Sequence, residues 1–547
     1  MFSSSSGPGA VRWLQPVQRR RRRRRVPLGP ILLVVALLAL AGGAFAFVRL
    51  RDTRDDPARA VAQRFAAAWA RGDLAAAWRL TTARTRAEQP RAGFEQSYRQ
   101  ARRAATVTAV RVGRAGEPRD GRVPVPVVVQ TRRFGILRGT IAFPLEPAGE
   151  TARVAWSPEL RLPGLRAGER VARVEGQART RRSVFAADGL RLEREPTAAG
   201  LVGTAPAGDD PGSGLEARYD ARLAGRPGAE LRFGRRVVAR VEAVPARPVR
   251  TTIRPALQAA ASAALGDRLG GVAILRPRSG AVLALAGLAV SAPQPPGSVF
   301  KIITTAAALE EGETEPGESF PVQTAATLEG VRLRNAGDAP CGGSLVQSFA
   351  NSCNSVFAPL GARLGPRRLV RYAEAFGFNR RPEIPDAEPS TIPAAANLKD
   401  DLAVGASAIG QDRDLATPLT MASVGATIAN RGVRVRPHVV LTGAPGRRRV
   451  VRRRVAAQVR DMMVEVVRSG TGTAAALPGV DVAGKTGTAE LVPTADGPAD
   501  PANTDAWFVA FAPASAPRFA IAVMLVGAGQ GGAAAAPIAR EVLAAAL

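Results

Sequence analysis

Ser298 and Lys301 stand three residues apart, just after two prolines and a glycine, in Pro295-Pro296-Gly297-Ser298-Val299-Phe300-Lys301. A mostly apolar run from Ile302 to Leu309 continues the segment, with Gly312 beyond its end. The spacing puts both side chains on one helical face. A helix start carries partial positive charge and free N–H groups, which favour an oxyanion and disfavour a nearby ammonium. A serine hydroxyl needs an adjacent base to become a nucleophile. An ordinary lysine, with a pKa of about 10.4, can be that base once burial and neighbouring cations lower it. The pair therefore reads as nucleophile and base. Taken alone, a capping serine followed by a surface lysine is the plain alternative.

Two further motifs enlarge the set. Ser352-Cys353-Asn354 falls inside an apolar stretch, Val346 to Leu360, that reads as helical. Lys485-Thr486-Gly487-Thr488 falls on a strand-like segment, Val480 to Leu491. Lysine usage sharpens both. Of 76 Lys and Arg residues only Lys301, Lys399 and Lys485 are lysines. Arginine cannot lose its proton in a protein, whereas a buried or crowded lysine can. Two of the three lysines thus sit in the motifs, and Lys399 reads as a surface residue. The single histidine, His438, lies between Pro437 and Val439 and reads as structural. One His and two Cys do not make a His/Cys zinc cluster, so no metal and no cofactor are expected.

The three motifs, in this order, resemble those of the serine penicillin-recognising enzymes. Gly410-Gln411, the stretch Ala416-Thr-Pro-Leu-Thr-Met-Ala422, Ala429-Asn-Arg-Gly432 and Gly470-Thr-Gly-Thr473 resemble the flanks found in transpeptidases. The resemblance is to class B penicillin-binding proteins, the monofunctional peptidoglycan D,D-transpeptidases. It implies peptidoglycan stem peptides as substrate, a Ser298 acyl-enzyme and covalent inhibition by β-lactams. In that scheme Ser298 attacks a D-Ala-D-Ala-like carbonyl and Lys301 takes its proton. Ser352 relays a proton to the leaving amine, and Asn354 orients Lys301 and a substrate amide. Lys485 lowers the pKa of Lys301 and attracts the substrate carboxylate, which Thr486 and Thr488 bind. Gly487 lets a substrate strand come close, and the N–H groups of Ser298 and Thr488 form an oxyanion hole. A D,D-carboxypeptidase would use the same residues with water as acceptor. A β-lactamase or β-lactam sensor and a non-catalytic wall scaffold are the other readings. No Glu-x-x-Leu-Asn-like motif separates the second and third motifs, which speaks against a β-lactamase.

The elements that must position these motifs can be sketched. Residues 251–547 read as one α+β domain of the β-lactamase/transpeptidase kind, an antiparallel sheet covered by helices. Pro255 suits the first turn of a helix ending near Leu265. Gly271–Leu275 pairs with Ala281–Ala286, Ala506–Phe511 pairs with Arg518–Val526, and Pro537–Leu547 closes as a helix. Ahead of it, residues 168–250 are rich in Gly, Pro and Arg and resemble the pedestal, or dimerisation, region of the family. Its usual Arg-Gly-hydrophobic start is replaced by Arg182-Ser183-Val184-Phe185. Residues 55–165 read as a small α+β domain. Val61, Phe65, Ala68 and Trp69 share a helical face, and strands follow at 107–112, 123–130, 138–145 and 152–156. That order resembles a nuclear-transport-factor-like domain.

Composition bounds the rest. The 547 residues allow roughly three domains. The net charge of +30 includes the run Arg19–Arg25. No zinc-finger spacing or aromatic-interleaved basic motif accompanies it, so no nucleic-acid partner is expected. Residues 1–25 form a basic tail, and 26–48 are apolar and long enough to span a bilayer. The arginines should stay cytoplasmic, leaving the catalytic domain outside a cell membrane crossed once. A cleavable leader is the rival, with Ala44-Phe45-Ala46 as the cleavage pattern. Export allows Cys341 and Cys353 either to bond or to remain thiols. No glycosyltransferase module precedes Thr251, so a separate glycan polymerase is the expected partner.

Overall fold

A computed structural model of the chain describes residues 56–177, 180–441, 443–490 and 500–547. The basic tail and the apolar segment 26–48 lie outside the described residues. Among the described residues no helix is long and apolar enough to cross a membrane. The chain divides into two compact units. One runs up to Glu175 and takes in Ala229–Val241, and the other comprises Gly176–Gly228 with Glu242–Leu547.

In the front unit, helices Pro57–Arg71, Leu74–Arg79, Ala83–Glu88 and Arg91–Ala104 precede a four-stranded antiparallel sheet, Val107–Val112, Arg122–Thr131, Gly135–Ala148 and Thr151–Val154. Asp56, Asp73 and Thr82 cap three of the helices through their side chains, each satisfying an N–H that the helix itself cannot. Phe65, Trp69, Phe94, Tyr98, Phe143 and Trp156 fill the core, and Trp156 Nε1 donates to Tyr98 Oη at 3.1 Å. The four strands fall at or overlapping the stretches expected from the sequence, 107–112, 123–130, 138–145 and 152–156. The helix Arg91–Ala104, which the sequence reading does not include, buries Phe94, Tyr98 and Ala101 along one face.

The stretch 168–250 does not act as one piece. Val171–Glu175, Ala229–Phe233 and Arg236–Val241 form an antiparallel sheet, and Ala229, Leu231 and Phe233 join the front core. Val184, Leu192, Val202, Leu215, Leu223 and Val249 instead join the core of the second unit. Composition cannot reveal this division, because both parts are equally rich in Gly, Pro and Arg.

The second unit is built on a five-stranded antiparallel sheet. Its labelled elements are α1 (Pro255–Leu265), β1 (Gly270–Arg276), β2 (Ala281–Gly287), α2 (Lys301–Glu311), α3 (Leu345–Ala350), α4 (Asn354–Leu364), α5 (Pro418–Ala429), α6 (Arg453–Arg468), β3 (Ala483–Glu490), β4 (Thr504–Ala512), β5 (Phe519–Leu525) and α7 (Gly531–Ala546). The strand order is β2-β1-β5-β4-β3, which leaves β3 at an edge. Strand periodicity sorts the two faces. Trp507, Val509 and Phe511 of β4 enter the core shared with α2, α4 and α5, while Ala506, Phe508 and Ala510 enter the core shared with α1 and α7. Both strand pairs and α1 match the sequence expectation. The last helix differs: it starts at Gly531, six residues before Pro537, and carries that proline inside it.

Candidate active site

Two prolines and Gly297 bring the chain to a 3₁₀ turn, Gly297–Phe300, which runs directly into α2. Gly297 has φ +52°, and a Cβ there would meet Thr488 O at 2.6 Å. Only glycine lets the nucleophile turn press this closely on the edge strand. From behind, Gly297 N–H donates to Gly410 O at 2.9 Å, and Thr304 Oγ1 donates to Ala408 O at 2.6 Å. Gly410, singled out in sequence, thus backs the turn that carries Ser298.

Lys301 is fully buried, whereas Ser298 is partly exposed. Lys301 Nζ lies 3.0 Å from Ser298 Oγ, 2.7 Å from Ser352 O, 3.3 Å from Ser352 Oγ and 2.7 Å from Asn354 Oδ1. A neutral amine has two N–H donors and one lone pair. Two acceptors at 2.7 Å occupy the donors, and the lone pair is left for the Ser298 O–H. Burial, and then the charge of Lys485, hold the Lys301 ammonium well below its ordinary pKa. Lys485 is also fully buried, and burial brings it to about 7. Its Nζ donates to Ser352 Oγ at 2.8 Å and to Thr486 O at 3.0 Å. Each lysine also faces an aromatic ring, Lys301 that of Phe357 and Lys485 that of Phe349, at 5.6 Å in both cases. Such rings offset part of an ammonium's desolvation.

The second motif differs from its sequence reading. Ser352 is not within a helix: α3 ends at Ala350, α4 begins at Asn354, and Ser352 has φ +63°. The apolar pattern runs across the break, so periodicity hides it. The left-handed residue lets both the carbonyl and the hydroxyl of Ser352 face Lys301. Cys353, next to it, is bonded to Cys341 with a Cα–Cα distance of 5.4 Å. Asn354 Nδ2 donates to Arg334 O at 2.7 Å, which fixes the amide so that its oxygen meets Lys301. Asn335 secures the same corner by accepting from Ser355 N–H at 2.9 Å; nothing in the sequence marked it.

The third motif lies on edge strand β3, which among the described residues pairs only with β4. Thr486 Oγ1 is 2.6 Å from Thr471 Oγ1, and Thr471 N–H donates to Ala350 O at 3.1 Å. The Gly470–Thr473 segment therefore joins the third motif to the end of α3, just before Ser352. Thr488 Oγ1 accepts from Gly531 N–H at 3.4 Å. Gly487 is also required by packing. A Cβ there would meet Pro296 O, Trp507 Cβ and Val299 Cγ1 at 2.9–3.0 Å, so its bareness serves packing against the nucleophile turn. Lys399 is exposed and stands apart from the set. Among the described residues no group of metal-ligating side chains gathers.

The arrangement suits acyl transfer: a partly exposed hydroxyl, a buried lysine amine beneath it held well below its ordinary pKa, and a second buried lysine sharing one hydroxyl with that amine. Comparison with known proteins agrees. A family model for the penicillin binding protein transpeptidase domain matches residues 270–544. The chain is similar to peptidoglycan D,D-transpeptidase PbpA of Mycolicibacterium smegmatis, 37% identical over 410 residues, covering 61% of this chain and 79% of that protein. Its Mycobacterium tuberculosis counterpart is 40% identical over 294 residues, covering 48% of this chain and 57% of that protein. The crystal structure of PBPA from M. tuberculosis has a TM-score of 0.57 at 29% identity, covering 68% of this chain and 100% of that one. The penicillin G acyl-enzyme complex of penicillin-binding protein A from M. tuberculosis has a TM-score of 0.54 at 29% identity, covering 68% of this chain and 100% of that one.

Proposed function

The chain belongs to the penicillin-binding protein transpeptidase family, as a class B serine D,D-transpeptidase of peptidoglycan, and we propose that its acyl-enzyme forms on Ser298 with Lys301 as the base. Ser298 Oγ attacks the penultimate D-alanine carbonyl of a stem peptide as its proton passes to Lys301 Nζ. The negative charge that develops on the carbonyl oxygen is met by the N–H groups of Ser298 and Thr488. The C–N bond then breaks, and the departing D-alanine amine is protonated through Ser352 Oγ, which both lysines touch. Lys485, Thr486 and Thr488 hold the terminal carboxylate. An amine from a second stem peptide displaces Ser298 and completes the cross-link. β-lactams enter by the same attack and stay bonded to Ser298.

The observation that carries this reading is the fully buried Lys301 Nζ at 3.0 Å from Ser298 Oγ, with its donors already taken. The test is covalent labelling by a fluorescent penicillin. Ser298→Ala should abolish the label, and a label that survives sinks the assignment. Lys301→Arg keeps the charge but cannot accept a proton, so it too should fail to label. Comparing the products from a stem-peptide mimic with and without an amine acceptor separates transfer from hydrolysis.

Residues 26–48 serve as a single membrane anchor, with the basic tail cytoplasmic and the catalytic unit outside. The helix-then-sheet order of the front unit supports a nuclear-transport-factor-like domain. A separate glycan polymerase supplies the strands to be cross-linked. Protease accessibility in sealed vesicles, with the tail and the C-terminus tagged, tests the topology.

A further inference from the structure

The second unit also holds a cavity of about 230 Å3, to which none of the proposed catalytic residues contributes. Arg380, Arg381, Arg434 and Arg436 line it, together with a single carboxylate, Glu383. Glu383 pairs with Arg436, and Arg381 pairs with Glu388 outside the cavity. Among the described residues, no carboxylate lies within ion-pair distance of Arg380 or Arg434. Arg434 is the costly one. Its Nε is buried with no hydrogen-bond partner among the described residues. Its guanidinium rests on Gly377, where a Cβ would come within 2.6 Å of a terminal nitrogen. The two-stranded ribbon of Val433–Val435 and Arg447–Arg449 sets Arg434 directly opposite Arg448. Like charges so placed destabilise a ribbon. Burial, and then Arg380, Arg436 and Arg448, pull Arg434 down to about 10.

Four guanidiniums around one cavity, two of them without a counter-charge, call for an anion from outside the chain. We propose that this cavity binds a phosphate group, free or as an ester. Two unpaired arginines match the two charges of a phosphate near neutral pH. The fork of N–H donors on each guanidinium suits an anion with several oxygens, and the hydroxyls of Thr420 and Ser423 are further donors in the lining. A monocarboxylate brings one charge and two oxygens, and would leave part of the cluster unbalanced.

Calorimetric titration of the full-length chain with inorganic phosphate and with glycerol 3-phosphate, at fixed ionic strength, tests the site. Acetate and chloride serve as controls. Saturable binding of one phosphate per chain is expected, with tighter binding of one probe showing whether the free or the esterified form fits. Arg434→Met should weaken it by about tenfold or more, the usual effect of losing a hydrogen bond to a charged group. Arg434 is partly buried and its loss can disturb folding. Arg380 is exposed and unpaired, so Arg380→Ala should weaken binding while leaving penicillin labelling intact. Absence of saturable phosphate binding, equal binding of acetate, or unchanged affinity in Arg380→Ala would overturn the proposal.

Discussion

Lys301 and Lys485 share one hydroxyl: Ser352 Oγ lies 3.3 Å from Nζ of the first and 2.8 Å from Nζ of the second. Two buried ammonium groups this close cannot both stay charged without large cost. The pair is most stable with one proton between them, Lys485 holding it and Lys301 neutral. That division of charge makes Lys301 a base and keeps a cation for the substrate carboxylate.

The rate of acylation by a β-lactam should therefore depend on pH from both sides. Protonation of Lys301 lowers it in acid. Deprotonation of Lys485, near 7 in the free enzyme, lowers kcat/KM in alkali, because that quantity reports free-enzyme groups. Lys485→Met removes one of the two causes that depress Lys301, so its acid limb should move to higher pH. A rate constant that is flat across the alkaline range would contradict the assignment.

Stability should change with pH in a predictable direction. Lys485 titrates near 7 in the folded chain and near about 10.4 when unfolded. Between those values the unfolded chain binds more protons, so unfolding free energy rises with pH, by at most about 1.4 kcal/mol per pH unit for each such lysine. Below the folded value the cost of the depressed lysine is fully present. Thermal unfolding followed across this window should show Tm climbing, and Lys485→Met should both raise Tm at neutral pH and flatten the climb.

Gly297→Ala should nearly abolish penicillin labelling. The residue has φ +52°, and the added Cβ would lie 2.6 Å from Thr488 O. The turn must shift, and a misplacement of about 1 Å costs on the order of a hundredfold in rate. Stopped-flow acylation measures it; wild-type rates in this variant would show that the turn tolerates displacement.

Thr471→Val removes the 2.6 Å contact with Thr486 while keeping the shape of the side chain. A hydrogen bond of this kind contributes about 0.5–1.5 kcal/mol, so carboxylate recognition should weaken roughly three- to tenfold. The loss should appear in KM for a stem-peptide mimic, with kcat little changed. A fall confined to kcat would place Thr471 in the chemistry instead.

Replacing both Cys341 and Cys353 by serine should lower stability by roughly 2–4 kcal/mol, the usual effect of opening such a loop. The bond ends one residue from Ser352, so acylation should slow as well as Tm fall. Equal Tm with and without reductant would show that the bond contributes nothing to stability.

Much of the fold was legible because its strands are simple. Gly271–Leu275, Ala281–Ala286, Ala506–Phe511 and Arg518–Val526 are apolar runs bounded by turn residues, and all four lie within or close to observed strands. The last helix is the exception: the sequence suggests a start at Pro537, whereas the helix begins at Gly531 and carries that proline inside. The sequence places Ser352 inside a helix because Val346–Leu360 keeps its apolar character across a break made by one left-handed residue. Asn335 and Arg334 reach the site through backbone groups and a distant amide, and no local pattern announces them.

The sequence by itself determined the chemistry. A serine, two lysines retained where arginine is the rule, and hydroxyl and amide residues at set spacings specify acyl transfer, because proton affinity and nucleophilicity belong to residue types. Tertiary structure alone decided the protonation. Burial on the helical side of the sheet and one shared hydroxyl set which lysine is neutral, and these depend on distances across 133 residues of chain between Ser352 and Lys485. Folding likewise decided that Gly487 serves packing, that 168–250 is divided between two cores, and that Arg434 faces Arg448. Each of these is a contact between segments whose own patterns carry no record of their partner.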